Sequence, residues 1–140
     1  MTHELPAHLR PDIRGFGRAW WSGATHGKLL LPFCPACAVS SWPPRPHCPQ
    51  CASATQWVEA SGRGVVHTFT VIRQTAEPYF KSRVPYVVAM IELDEGPRIM
   101  SSVVRCDVDA VHVGMPVAVT FADVGGSLSL PLFAPAGTAA

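Results

Sequence analysis

No apolar run in this 140-residue sequence approaches the roughly 20 residues that a membrane-spanning helix needs. The polar N-terminus has neither the basic start nor the apolar stretch of a secretory leader. An excess of charge of one sign is lacking too. With 11 Lys and Arg against 10 Asp and Glu, the formal net charge is +1, and nothing draws the chain as a whole toward a polyanion. Nor is there an even set of cysteines. Of five, four fall into two close pairs and Cys106 stands alone, which suits a reducing compartment better than a secreted disulfide scaffold. These absences predict a cytoplasmic protein that spans no membrane and gains little from bulk nucleic acid. The 48% hydrophobic content is enough to bury a core in one compact unit with a small appendage.

Turn chemistry and periodicity divide the chain. MTHELPAHLRPD has two prolines and no apolar period, which predicts a loosely ordered lead-in. From Asp12, a candidate N-cap, Ile13, Phe16, Trp20 and Ala24 recur at helical spacing, predicting a short helix that ends near Gly27. Three glycines weaken it, so its apolar stripe must dock on something, a partner chain included. KLLLPF reads as a brief strand, and the prolines of SSWPPRPH exclude a helix. Beyond Ser61-Gly62-Arg63-Gly64 come five β-rich runs, VVHTFTVI, PYVVAMIEL, RIMSSVV, PVAVTFADV and LSLPLF, separated by turn signals. That spacing predicts a small closed barrel, with one helical turn at Asp107–Val111 as an OB-type barrel accommodates between its third and fourth strands. The expected organisation is a lead-in and helix over 1–28, a metal-bound segment over 29–60 and a five-stranded barrel with a C-terminal tail over 61–140.

The strongest chemical signal is the pair Cys34-Pro-Ala-Cys37 and Cys48-Pro-Gln-Cys51. Two residues between thiolates let both sulfurs converge on one ion, and two such knuckles complete the tetrahedral set that zinc prefers. A fully thiolate shell leaves no position for water, so the expected zinc is structural. Iron in the same shell, a disulfide pair and a redox dithiol are the rivals. His47 beside Cys48 is superfluous as a ligand once four thiolates are present. Cys106 reads as a small half-buried apolar residue, and His67 as a core or interface histidine, because no base and orienting group stand near either at catalytic spacing.

Gly27-Lys28-Leu29 before the first knuckle, Pro43-Pro44-Arg45-Pro46-His47-Cys48-Pro49, the Ser61–Gly64 joint, Pro85-Tyr86-Val87-Val88, Glu92-Leu93-Asp94-Glu95-Gly96, Val113-Gly114-Met115-Pro116-Val117 and Leu130-Pro131-Leu132-Phe133 together resemble the DUF35 family from about Phe16 to Phe133. The resemblance implies a mainly β chain: an N-terminal helical segment, a rubredoxin-like zinc ribbon and an OB-fold barrel. It also implies a non-catalytic accessory subunit that binds an acyl-CoA thioester or docks on a thiolase-superfamily enzyme, a thiolase, synthase or aldolase, and helps to form its acyl-CoA site. Ala38 departs from the glycine that commonly follows the first knuckle. Candidate contacts to the CoA phosphates are Arg45, Arg63, Arg73, Lys81 and Arg83, and the candidate partner surface is Phe16, Trp20, Trp21, Tyr79 and Phe80. Against these stands the general rule that aromatics are core and isolated basic residues solvated. The Gln74–Arg83 loop is the better candidate as a group, because OB folds bind through the loop between their first two strands. The rival function is a single-stranded nucleic-acid-binding module, disfavoured by Arg73 being the only basic residue offered by the first two strands of the barrel.

Overall fold

The computed structural model describes residues 4–137. Three short strands form the first sheet: β1 (Leu30–Cys34), β2 (Val39–Ser40) and β3 (Gln56–Glu59), in the order β2-β1-β3 and antiparallel throughout. Cys34 ends β1, Cys37 lies in the turn to β2 and the second pair lies between β2 and β3, so the sheet carries both knuckles at one end.

The second sheet has five strands: β4 (Arg63–Ile72), β5 (Tyr86–Leu93), β6 (Arg98–Ser101), β7 (Pro116–Asp123) and β8 (Ser129–Pro135), ordered β6-β5-β4-β7-β8. Strand β5 alternates, with Val87, Ala89, Ile91 and Leu93 buried and Tyr86, Val88, Met90 and Glu92 on the opposite face. The sheet curls until its two edges meet. Phe133 N–H donates to the Ser102 carbonyl at 2.9 Å, Val104 N–H donates to the Phe133 carbonyl at 2.7 Å, and Val103 bridges Phe133 in parallel. This is the curled five-stranded OB arrangement that the turn spacing predicts. A 3-10 turn at Val108–Ala110 lies between β6 and β7, capped by the Asp107 carboxylate accepting from Asp109 N–H.

Gly64 explains much of the joint between the sheets. A Cβ there would lie 2.4 Å from the Glu92 carbonyl oxygen, so β4 and β5 approach each other only with glycine at this position. Glu95 of the β5–β6 turn accepts the Ser61 N–H at 2.7 Å and fastens the joint to the barrel.

The helix α1 spans Arg18–Thr25, shorter than the expected start at Asp12. Asp12 instead accepts the Arg14 N–H and pairs with its guanidinium at 2.9 Å, and Gly15 takes a positive φ that no helix continues through. A 3-10 turn over Gly15–Gly17 leads in. The docking site of the helix lies in the same chain. Trp20 is 9% exposed and meets Trp21 edge-on at 4.6 Å and Trp42 at 5.2 Å, while Phe16 stacks on Trp57 at 4.9 Å. Trp20, Leu29 and Leu31 join Val66, Ile91, Val117 and Phe133 in one apolar cluster, so the core runs without interruption from ribbon to barrel.

The lead-in is ordered from residue 4, against expectation. Leu5 N–H donates to the Val124 carbonyl at 2.9 Å and its side chain is buried with Val124 and Leu128, while both terminal Arg10 nitrogens donate to the Gly125 carbonyl, the shorter at 2.6 Å. Leu5 and Leu9, four apart, are the apolar signal that the two prolines hid.

Candidate metal centre and barrel-face pocket

The first knuckle closes after β1. The Cys37 N–H points at the Cys34 sulfur at 3.4 Å, and Ala38 turns into the left-handed region at φ 55°. The second repeats it: the Gln50 N–H points at the Cys48 sulfur at 3.4 Å, and Ala52, also next after its second cysteine, has φ 62°. Each knuckle aims an amide at a sulfur, which favours the thiolate form. Across the two, Cys34 and Cys51 sulfurs lie 3.5 Å apart, and all four sulfurs lie within 4.8 Å of one another. Zinc–sulfur bonds of ~2.3 Å in a tetrahedron place sulfurs ~3.8 Å apart, so the four thiols are spaced to hold one such ion.

Crowding leaves its mark on the thiols themselves. The Cys51 sulfur, with burial and the other two cysteines, holds the proton on Cys37 and pushes its pKa up to about 12. The hydroxyl and backbone N–H of Ser53, donating to Cys51, pull that thiol down to about 6. Four sulfurs this close do not all ionise unless a cation compensates them, and a divalent ion does so. His47 sits in a backbone bridge to Ala54, apart from the sulfur cluster.

A second feature is a pocket of about 690 Å³ on the barrel face opposite the core. The loop after β4 contributes the one-turn helix α2 (Pro78–Lys81), whose first turn is capped by Glu77 accepting from Tyr79 N–H at 3.3 Å. Tyr79, Phe80 and Arg83 from this loop form one wall, Tyr86 and Val88 of β5 the floor, and Leu130 and Leu132 of β8 the far wall. The Arg83 guanidinium lies over the Tyr79 ring at 4.1 Å. Leu5 of the anchored lead-in closes one side.

The candidate ligand residues are dispersed. Arg83 alone of the five basic candidates lines the pocket. Lys81 ends α2, Arg73 follows β4 and lies 3.7 Å from Asp109, Arg63 opens β4 at the joint, and Arg45 is exposed on the ribbon loop. Of the candidate partner residues, Trp20 is consumed by the chain's own core, whereas Phe16, Trp21, Tyr79 and Phe80 are half-buried. His67 and Arg98 flank Glu92 at 3.8 and 3.0 Å on the barrel's outer surface. Cys106 packs half-buried against the core, where burial raises its pKa and keeps the thiol protonated. The pocket is built from five separated segments, and only its α2 wall carried a sequence signal, the loop between the first two barrel strands.

Comparison with known proteins follows the same division. The family model for the ChsH2 rubredoxin-like zinc ribbon domain matches residues 21–57, and that for the ChsH2 C-terminal OB-fold domain matches 57–122. A protein of Methanothermobacter thermautotrophicus described as a DUF35 domain-containing scaffold protein is 39% identical over 93 residues, covering 65% of this chain and 69% of the relative. The chain belongs to the DUF35 family. This DUF35 chain is also 37% identical over 139 residues to a protein of Thermomonospora curvata described as a probable enoyl-CoA hydratase alpha subunit. That match covers 96% of the chain and 43% of the relative, so the chain spans less than half the length of that protein. Among solved structures, a chain of the Ltp2-ChsH2(DUF35) aldolase superposes with a TM-score of 0.82 at 37% identity, covering 91% of this chain and 99% of that one.

Proposed function

We propose that this DUF35 chain is a non-catalytic accessory subunit that holds one structural zinc, docks on a thiolase-superfamily enzyme and helps to form that enzyme's acyl-CoA site. The observation that carries the reading is the likeness to nearly the whole DUF35 chain of an aldolase complex, at an identity high enough to extend beyond fold. The description of the Thermomonospora relative as a hydratase subunit acting on an enoyl-CoA supports the acyl-CoA part of the reading. The chain's own chemistry agrees: four thiolates on one ion leave no open coordination position. Four converging thiolates suit zinc, and the match to a rubredoxin-like zinc ribbon model supports zinc over iron in the same shell.

Affinity purification of the tagged chain from its native host, followed by size-exclusion chromatography and mass spectrometry, tests the docking. A thiolase-fold protein is expected to co-elute, with acyl-CoA turnover in the complex and none in the isolated chain. Elution of the chain alone, with turnover by the thiolase-fold protein unchanged when the chain is withdrawn, sinks the proposal.

A further inference from the structure

OB barrels bind through the face of their second and third strands and the loops beside it. Here that face is formed by β5, the segment after β6, the α2 loop and the turn after β7, and it is the face that holds the pocket. Its chemistry is narrow. The walls are Val88, Val104, Leu130 and Leu132 with the rings of Phe80 and Tyr86. Its polar side chains are few: the Ser102 hydroxyl donates to the Val87 carbonyl, the Asp123 carboxylate at the end of β7 accepts the Gly125 N–H at 2.8 Å, and Tyr79 and Tyr86 bring their phenol rings. Arg83 differs. Among the described residues it makes no ion pair, and its guanidinium is held at the rim by the Tyr79 ring.

We propose that this pocket binds a compact amphiphilic monoanion, with a ring or branched hydrocarbon body among Val88, Val104, Leu130 and Leu132 and a single anionic head at Arg83. The volume lies within the roughly 300–1,000 Å³ of small-molecule sites. Arg83 is the one cation among the lining residues and Asp123, at the end of β7, the one acid, so a single negative charge is accommodated at Arg83 and away from Asp123. A nucleic acid strand or a run of phosphates needs several cations along a groove, and these walls supply one. Addition of a peptide strand needs a free edge, but β5 is paired by β4 along its length and by β6 over Ala89–Glu92, and beyond β6 the Val87 carbonyl is taken by the Ser102 hydroxyl. The site lies within this chain, so it is complete whether or not the chain docks on another protein.

Two dyes of nearly the same shape separate the parts of the proposal. 8-Anilinonaphthalene-1-sulfonate carries the anion, and N-phenyl-1-naphthylamine lacks it. Titrated into the full metal-loaded chain and followed by fluorescence and calorimetry, each is expected to bind once per chain. Leu132→Glu places a carboxylate in the apolar wall and should weaken both dyes by about tenfold or more. Leu130→Glu replaces it if that variant loses the cooperative urea unfolding of the parent barrel. Arg83→Gln should weaken the sulfonate by about threefold to tenfold and leave the neutral dye unchanged. Multiple dye sites, unchanged binding in the wall variant, or equal losses of both dyes on Arg83→Gln overturn the proposal. So does displacement of the sulfonate by a short oligothymidylate, which would make the face a nucleic-acid platform. Failure of the docking reading leaves each of these results as stated, because no partner is present.

Discussion

Ribbon and barrel are two solutions to the same problem of holding strands together. In the barrel the alternating strands supply Val66, Val87, Ile91, Ile99, Val117 and Phe133, all nearly inaccessible and in mutual contact. In the ribbon the buried side chains are Leu29 just before β1, Leu31 and Pro32 in β1, Ala60 at the joint, and two of the cysteines, Cys34 and Cys48. A three-stranded sheet with a two-residue edge strand cannot exclude water from a core of that size. With zinc bound as proposed, the ribbon has two external supports, the ion between its knuckles and the apolar cluster it shares with α1 and the barrel. The difference teaches that a small module stays ordered by attachment, whereas the barrel is ordered by its own interior.

The largest effect expected follows from removing the ion. Structural zinc sites in small peptides contribute an apparent ~10–16 kcal/mol at neutral pH, far more than any single side chain here. Cys48→Ser, or chelation of the native protein, should take bound zinc from one per chain to well below one. Hydrogen exchange should then show lost protection at Leu30–Cys34 and Gln56–Glu59, with β5 amides still protected. If β5 opens together with the ribbon, the two regions form one cooperative unit and the comparison breaks.

Truncating the barrel should do the reverse. Phe133 is fully buried where β6 and β8 meet, and Phe133→Ala is expected to cost ~3–5 kcal/mol in urea unfolding. Under native conditions the variant should still hold one zinc. Loss of the metal at the same urea concentration as loss of the barrel would show that the ribbon has no independent hold on its ion. A smaller cost, ~1–3 kcal/mol, is expected of Gly64→Ala, because its Cβ would meet the Glu92 carbonyl at 2.4 Å and force β4 from β5. A variant as stable as the parent would mean that β4 and β5 separate there at no cost.

Legibility in the sequence divided along the same line. The cysteine spacing and the five β-rich runs are local patterns, and each appears in the structure where the pattern puts it: the knuckles after β1 and before β3, and the runs as β4 to β8. What escaped was non-local. The apolar stripe of α1 is visible in sequence, but its acceptor is assembled from Trp42, Trp57, Leu29 and Leu31, so the helix read as one awaiting a partner. The lead-in read as loose because its partners, Val124 and Gly125, lie at the other end of the chain. The pocket needs Leu5, Val88, Val104 and Leu132 together, and no window of sequence contains them.

The smallest expected effect tests whether the two knuckles are equivalent, and it concerns strain rather than burial. Ala38 and Ala52 each follow the second cysteine of their pair, with φ of 55° and 62°. An L-residue in the left-handed region costs ~1–2 kcal/mol, and glycine removes that cost. Glycine also enlarges the freedom of the unfolded chain, which returns ~0.5–1 kcal/mol against the gain. The balance for Ala38→Gly or Ala52→Gly is a stabilisation of about 0.5 kcal/mol, with one zinc retained. The two substitutions share no side-chain partner, but both act on the same ion, so their combination tests additivity across the metal. Slower zinc release to a chelator in each variant, and a larger slowing in the pair, is the expected reading. A variant that releases zinc faster than the parent would show that the alanine methyl groups contribute packing that outweighs the strain, and the ribbon would then owe more to its side chains than its sparse core implies.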